Sequence, residues 1–234
     1  IRNFGRKLHN FHVENNLTVC DITPSHLNLM TMQKTRAISK IPFLLVGGEI
    51  LHWETLHKYS QFTSHYPTFI NVYGPTECCV DVAYKVINEE DLKKNLQGIV
   101  PIGKSIIKTY LTIRSENGTI ITKQDERGEL YISGSQVGAG YVNIMSDSFF
   151  YENNNITYKT GDIAYSDYNS DIVVVGRKDS QVKINGFRVE LVEIESVIEK
   201  FVQSPCAVFC INENNNNKIV VFISCAEFNE KKKF

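Results

Sequence analysis

The sequence has no apolar run approaching the length that crosses a bilayer, which excludes a helical membrane span from what it encodes. It has no excess of either charge: 25 Lys and Arg stand against 26 Asp and Glu, so there is no basic field to attract nucleic acid. Its six cysteines, Cys20, Cys78, Cys79, Cys206, Cys210 and Cys225, form no Cys-x-x-Cys pair and no repeated spacing. That argues against a zinc site or a disulfide framework, and for reduced thiols in a cytoplasmic protein. In "HWETLH", His52 and His57 are five apart, where a helical zinc motif needs four to bring both rings to one face. The N-terminal "IRNFGRKLHNFHVENN" lacks the apolar core of a signal peptide and has instead the helical spacing of Phe4, Leu8 and Phe11. An initiator Met is also missing, so the chain reads as an excerpt. Sequons at Asn16, Asn117 and Asn155 would matter only after secretion, for which nothing else argues.

What is present alternates. A chain of 234 residues can bury a real core in one domain or two. "LTVCDI", "PFLLVGG" and "TFINVY" read as short apolar strands. "SHLNLMTMQKT", capped by Ser25 or the preceding Thr, and "ETLHKYSQFTS" read as the helices between them. Strands separated by helices predict a parallel sheet whose ligands collect at the strands' carboxyl ends, here Asp21, Gly47–Glu49 and "NVYGPTE". From about residue 100 the pattern changes to short strands and polar turns, with an Asn117-Gly118 hairpin signal. After "DIVVVGRKDSQ" it changes again: two strands around Asn185-Gly186, an amphipathic helix in "VELVEIESVIEKF", and a strand pair "CAVFCI" and "KIVVFISC" across an Asn-rich turn.

"NVYGPTECCVD" sets a rigid Gly74-Pro75 turn between two strand-like stretches. Alone it reads as an ordinary loop. It stands, however, in a fixed order with "FLLVGGEIL", "GELYISGSQVGAGY", "YKTGD" and "GRKDSQVKINGFRVELVEIE". On these five stretches the sequence resembles the adenylate-forming (AMP-binding) superfamily, and within it the amino-acid-activating adenylation domains of nonribosomal peptide synthetases. The resemblance implies an α/β fold: a partial doubly wound β/α large subdomain with a β-rich subdomain, followed by the start of a small mobile α+β subdomain. Residues 1–176 would be the large part (about 1–100 the β/α layer, about 101–176 β-rich), 177–180 a hinge and 181–234 a truncated small subdomain. The family's Lys-containing phosphate loop and late catalytic lysine have no counterpart here, so the chain alone is expected not to catalyse adenylation.

The implied chemistry joins a carboxylate to the α-phosphate of ATP with Mg²⁺, expels pyrophosphate, and passes the acyl group to a phosphopantetheine thiol on a carrier protein. Carried over residue by residue, the resemblance gives Tyr73 a stacking role against adenine, with Asn71 and Gly47-Gly48-Glu49 at the base's edge. Gly74 belongs to the same loop, Thr76 would donate to the α-phosphate, and Glu77 would hold the metal. Asp162 would accept both ribose hydroxyls, with Arg177 beside it; read alone, it is a turn Asp after Gly161. Asp179 would be the hinge residue, and Asn185-Gly186 would face the phosphopantetheine channel. The acyl pocket would take Asp21, Leu45, Gly47, Val72, Val80 and Asp81, which suits a small amino acid with a displaced amine, such as β-alanine or a short diamino acid; Asp21 could equally cap the helix near Ser25. One departure is Val192, where the family usually has Gly, which predicts a stiffer helix start. The "QVKINGFRVEL" stretch favours a carrier-protein acceptor; an acyl-CoA synthetase and a non-catalytic nucleotide- or partner-binding remnant are the alternatives.

Overall fold

The computed structural model describes residues 7, 10–11, 14–31, 41–63, 66–94, 96–178, 181–184, 187–213 and 216–224. Most of the expected N-terminal helix, the proposed hinge residue Asp179 and Asn185-Gly186 lie outside them. The chain divides into two compact units, Ile1–Lys178 and Asp179–Phe234.

In the first unit, β1 (Val19–Ile22), β2 (Phe43–Val46) and β3 (Thr68–Tyr73) pair in parallel in that order. The connections carry α1 (Pro24–Thr31) and α2 (Trp53–Phe62), which pack against each other. Consecutive parallel strands joined by crossovers of one hand must send both helices to the same face. That face is the first core, where Leu44, Val46 and Phe69 from the strands meet Leu27, Met30, Leu56 and Tyr59 from the helices. Pro24 opens α1 where its missing N–H costs nothing, and the Thr23 hydroxyl accepts the His26 N–H. The carboxylate of Glu49 takes both the N–H and the hydroxyl of Ser25. Thr23 and Glu49 therefore cap this helix, and Asp21 does not.

The sheet continues antiparallel through β4 (Ala83–Ile87) and β5 (Lys104–Ser105), with the short α3 (Glu89–Lys93) between them. Its second face carries the alternate residues, among them Val19, Phe43, Tyr84 and Val86, all exposed. A second sheet is antiparallel throughout: β10 (Ile172–Arg177), β9 (Asn155–Ser166), β7 (Gly128–Gly134) and β6 (Thr109–Arg114) in that order, with β8 (Phe149–Glu152) also on β9. Asn117-Gly118 makes the predicted tight turn, closed by the Ser115 N–H on the Thr119 carbonyl.

The two sheets meet in a second core. Tyr73, Cys78, Val82 and Ala83 from the end of the first pack with Ile113, Leu130, Ile132, Tyr158 and Ala164 of the second. Across the same junction Lys85 on β4 reaches the buried Asp171 at 2.5 Å. In the second unit, β11 (Gln181–Ile184) and β12 (Phe187–Glu190) form a hairpin, α4 spans Leu191–Val202, and β13 (Cys206–Glu213) pairs with β14 (Asn216–Ile223). Glu195 and Glu199 of α4 accept the N–H groups of Val208 and Cys206, which ties the helix to β13. Val192 sits in the first turn of α4 with its side chain in solvent, and the helix forms around it.

Breaking a buried pair by removing one partner leaves an uncompensated charge. Lys85→Met should therefore lower the stability of the first unit by roughly 2–4 kcal/mol, and Lys85→Met/Asp171→Asn should recover part of the loss. Urea denaturation of the three proteins measures both.

Candidate functional site

Five of the residues singled out in the sequence, Tyr73, Thr76, Glu77, Asp162 and Arg177, lie where β3 ends and the second sheet begins. Pro75 leads into a single 3₁₀ turn, Thr76–Cys78, closed by the Cys78 N–H on the Pro75 carbonyl at 2.9 Å. The backbone then reverses through Cys79 and Val80, at φ 55° and 78°, before Val82 donates to the Tyr73 carbonyl at 2.8 Å. A β-branched residue at positive φ is strained and persists only where its surroundings hold it. Here the surroundings include Gly74: a Cβ on it would lie 1.9 Å from the Val80 carbonyl oxygen. Gly74 is thus required for a close backbone approach, and not for the unusual backbone angles that a Gly-Pro turn first suggests.

The loop so formed presents Thr76 in solvent and Glu77 half-buried. Gly138 donates its N–H to the Glu77 carbonyl at 2.8 Å, and the Tyr141 hydroxyl donates to Glu77 Oε1 at 2.6 Å. Tyr141 is itself packed edge-on against Phe149, which leans on Tyr158. Sequence reasoning assigned Tyr141 nothing, although it closes the "GELYISGSQVGAGY" stretch; no local spacing marks its partner 64 positions upstream. Beneath the loop, burial and then Glu77 push the Cys78 thiol up to about 12, which makes it an inert core group.

Asp162 is the best-held residue of the site. It lies inside β9, 7% exposed, where three β9 residues, Thr160 to Asp162, oppose a single β7 residue, Leu130. Such a bulge re-aims side chains, and Gly161, at φ 74°, supplies the bend. Asp162 is therefore a strand residue and not the exposed turn Asp that "YKTGD" suggests in isolation. Its N–H goes to Thr160 Oγ1 at 2.9 Å, and that hydroxyl donates to the Leu130 carbonyl at 2.8 Å. Arg177, its register partner on β10, donates to Oδ1 at 3.0 Å and to the Thr160 carbonyl at 2.7 Å. The Tyr73 hydroxyl donates to Oδ2. Burial first, and then the Asp162 carboxylate, hold the Tyr73 phenol well above its ordinary range, so it remains a donor. Tyr73 is 8% exposed, and a stacking base would meet only the part of the ring left uncovered.

The remaining residues fall into two places. Asn71 is buried with its Nδ2 on the carbonyls of Val100 and Pro101, at 3.3 and 2.8 Å, which leaves Oδ1 as its side-chain acceptor. Gly47 touches Val72, since a Cβ there would lie 2.6 Å from Val72 Cγ2. The Glu49 side chain, which sequence reasoning passed over in favour of its backbone, is committed to α1, with Oε1 buried and unpaired. Asp21 is exposed at the end of β1, in register with Leu45, while Val80 is 67% exposed. Asp81 is half-buried, and burial, followed by the charge of Asp21, raises its carboxyl above the ordinary range. The two carboxylates thus sense each other. Among the described residues no group of three side chains could hold a metal ion.

The AMP-binding enzyme family matches residues 3–142. The chain belongs to that family. Its members are adenylate-forming ligases, and the relatives place this AMP-binding chain near the peptide-synthetase branch. It is 31% identical to bacitracin synthase 1 of Bacillus licheniformis over 227 residues, covering 92% of this chain and 4% of that protein. It is 29% identical to D-alanine--D-alanyl carrier protein ligase of Bacillus licheniformis, covering 94% and 45%. Among solved structures it matches the Vibrio cholerae adenylation domain AlmE, in complex with glycyl-adenosine-5′-phosphate, at 30% identity and a TM-score of 0.80, covering 92% of this chain and 42% of that one. A holo NRPS protein containing adenylation and PCP domains matches at 26% identity and a TM-score of 0.81, covering 94% and 39%. The chain thus spans less than half the length of each of these proteins.

Two outcomes follow from this geometry. Gly74→Ala forces the Val80 carbonyl aside and should destabilise the first unit by at least the roughly 1–3 kcal/mol that overpacking costs, read as a lowered denaturation midpoint. Because the folded Asp81 carboxyl titrates above its unfolded value, its ionisation opposes folding as pH rises from the ordinary carboxylate range through the raised one. Asp81→Asn should then be more stable than the parent at neutral pH, with the gain shrinking towards about pH 3, where both are uncharged; denaturation midpoints at the two pH values measure it.

Proposed function

We propose that this chain carries the nucleotide and acyl side of an ATP-dependent adenylation site that activates a small amino acid as its aminoacyl-AMP and passes it to a carrier-protein phosphopantetheine thiol. The observation that carries the reading is the placement of a buried carboxylate, Asp162, with Tyr73 and Arg177, directly behind a loop that presents Thr76 and Glu77. Asp162 accepts the ribose hydroxyls, with Arg177 holding its charge in place. Tyr73 offers what is uncovered of its ring to adenine, and Asn71 Oδ1 and the Gly47–Glu49 backbone meet the base's edge. Thr76 donates to the α-phosphate as a non-bridging oxygen gains charge.

The donor set fits Mg²⁺. That ion takes one or two carboxylates with phosphate oxygens and water and needs no protein cage, so a single carboxylate, Glu77, beside a hydroxyl is sufficient. When bound it supplies charge neutralisation on the phosphate oxygens, while Tyr141 fixes the carboxylate that would hold it.

The acyl side is read from Asp21, Leu45, Gly47, Val72, Val80 and Asp81. Asp81 carries a carboxyl that burial and Asp21 make costly to ionise, so a cation beside it is favoured. An ammonium displaced from the α-carbon, as in β-alanine or a short diamino acid, supplies that cation. Passage to a carrier thiol is supported by the likeness to a protein that contains adenylation and PCP domains; a hinge at Asp179 belongs to the same proposal.

The test is amino-acid-dependent exchange of pyrophosphate into ATP by the intact protein, across α-amino, β-amino and diamino acids. The amino acid preferred should be one with a displaced amine. Asp81→Ala should lower its use by about ten- to a hundred-fold, the worth of one charge-assisted hydrogen bond, with the KM for ATP unchanged. An unaltered profile removes the substrate assignment, and absence of exchange with every carboxylate removes the adenylation reading itself.

A further inference from the structure

We infer that the Tyr73 hydroxyl is a positioning group for Asp162, setting the carboxylate's rotation so that one lone pair on each oxygen is left for a vicinal diol. The inference rests on the reading of Asp162 as the ribose acceptor and adds to it a second role for a residue otherwise assigned to the base.

An ionised carboxylate offers about two acceptor directions on each oxygen. In this structure the protein uses one on each: the Tyr73 hydroxyl takes Oδ2 and Arg177 takes Oδ1 at 3.0 Å. What remains is one direction per oxygen, side by side, which is the pattern two neighbouring sugar hydroxyls require. Both donors are themselves immobilised. Arg177 is held by the Thr160 carbonyl at 2.7 Å, and the Tyr73 ring is packed in the second core with Val82, Ala83 and Ile102. The backbone of Asp162 is fixed at the same time, through its N–H on Thr160 Oγ1.

Arg177 cannot do this alone. It stands on the strand that pairs with Asp162, so it constrains the carboxylate from within one sheet. Tyr73 comes from the other sheet, 89 positions away in sequence, and constrains rotation about the Cβ–Cγ bond from the opposite oxygen. Burial keeps the phenol protonated, so the contact is a constant donor and not a switch. Phenylalanine at this position would keep a ring and lose the constraint, leaving Oδ2 with an unfilled direction.

The experiment measures direct binding of ATP, 2′-deoxy-ATP and 3′-deoxy-ATP to the intact protein and to Tyr73→Phe by calorimetry. The parent should prefer ATP by about tenfold or more over each deoxy form, as a hydrogen bond to a charged acceptor is lost. In Tyr73→Phe that preference should fall to about threefold or less, because the sugar hydroxyls no longer meet an oriented acceptor. A parent without discrimination would overturn the ribose assignment of Asp162. A parent that discriminates and a variant that discriminates equally, including one that binds all three nucleotides more weakly by one common factor, would overturn the positioning role while leaving that assignment intact. Should Tyr73→Phe fail to fold, 4-fluorophenylalanine at position 73, which fills the hydroxyl's volume without an O–H donor, is measured in its place. Discrimination that falls supports the inference, and discrimination equal to the parent's refutes it.

Discussion

The carbonyl of Val80 passes so close to the α-carbon of Gly74 that no side chain fits between them, and the site hangs on that contact. It lets the chain leave β3, make one tight turn and return to the Tyr73 carbonyl within nine residues. A wider loop would carry Thr76, Glu77 and Asp81 away from Tyr73 and Asn71. The cost is local: two consecutive non-glycine residues, Cys79 and Val80, adopt positive φ, a strain of order 1–3 kcal/mol per residue. It is held in place by the burial of Cys78 and Val82 and by the bond from Gly138 to Glu77. The constraint and the strain belong together, since a relaxed loop would leave the Glu77 carboxylate without a fixed direction.

The second requirement is a rigid join between two sheets built by different rules. The first sheet is ordered by crossovers that deliver helices to one face, the second by antiparallel neighbours that need none. Apolar contact alone would let the two slide, because burial is non-directional. The junction is instead crossed by directional contacts: Tyr73 to Asp162 and Lys85 to Asp171, each on a buried carboxylate, and at its surface Tyr141 to the half-buried Glu77. Each joins a residue of the first sheet or its loop to one of the second sheet or its connections. A site assembled at such a seam takes its precision from those bonds, and the seam takes its alignment from the site.

Much of the local structure was legible because it is set by neighbours in sequence. The strands β1 to β3, the helices between them, the Asn117-Gly118 turn and the strand pairs of the second unit follow from periodicity and turn chemistry. The motifs likewise marked Asp162, Tyr73 and Arg177. What was not legible depends on distance in sequence. Gly161 reads as a turn residue, yet it bends a continuous strand, because only the register with β7 and β10 reveals a bulge. Asp21, assigned to the acyl pocket, reads equally as a helix cap, yet Glu49 supplies the bond to Ser25 from 24 positions away. Tyr141 and Asp171 carry no local signal at all, since their partners lie 64 and 86 positions distant.

The same distinction explains why the surroundings of Asp21 and Asp81 are less determined than those of Asp162. Asp162 is held by three protein contacts, so its charge is already balanced and its geometry set before any ligand arrives. Asp21 and Asp81 are the opposite case: two carboxylates that sense each other, one exposed and one half-buried, with no cation placed between them by the described residues. Like charges brought together without a counter-charge raise the cost of ionising the more buried member. Such an arrangement is a poor structural element, and on the proposed reading the missing positive charge is what it would select for. Stability thus argues for the surroundings of Asp162, while its absence around Asp81 argues for a ligand.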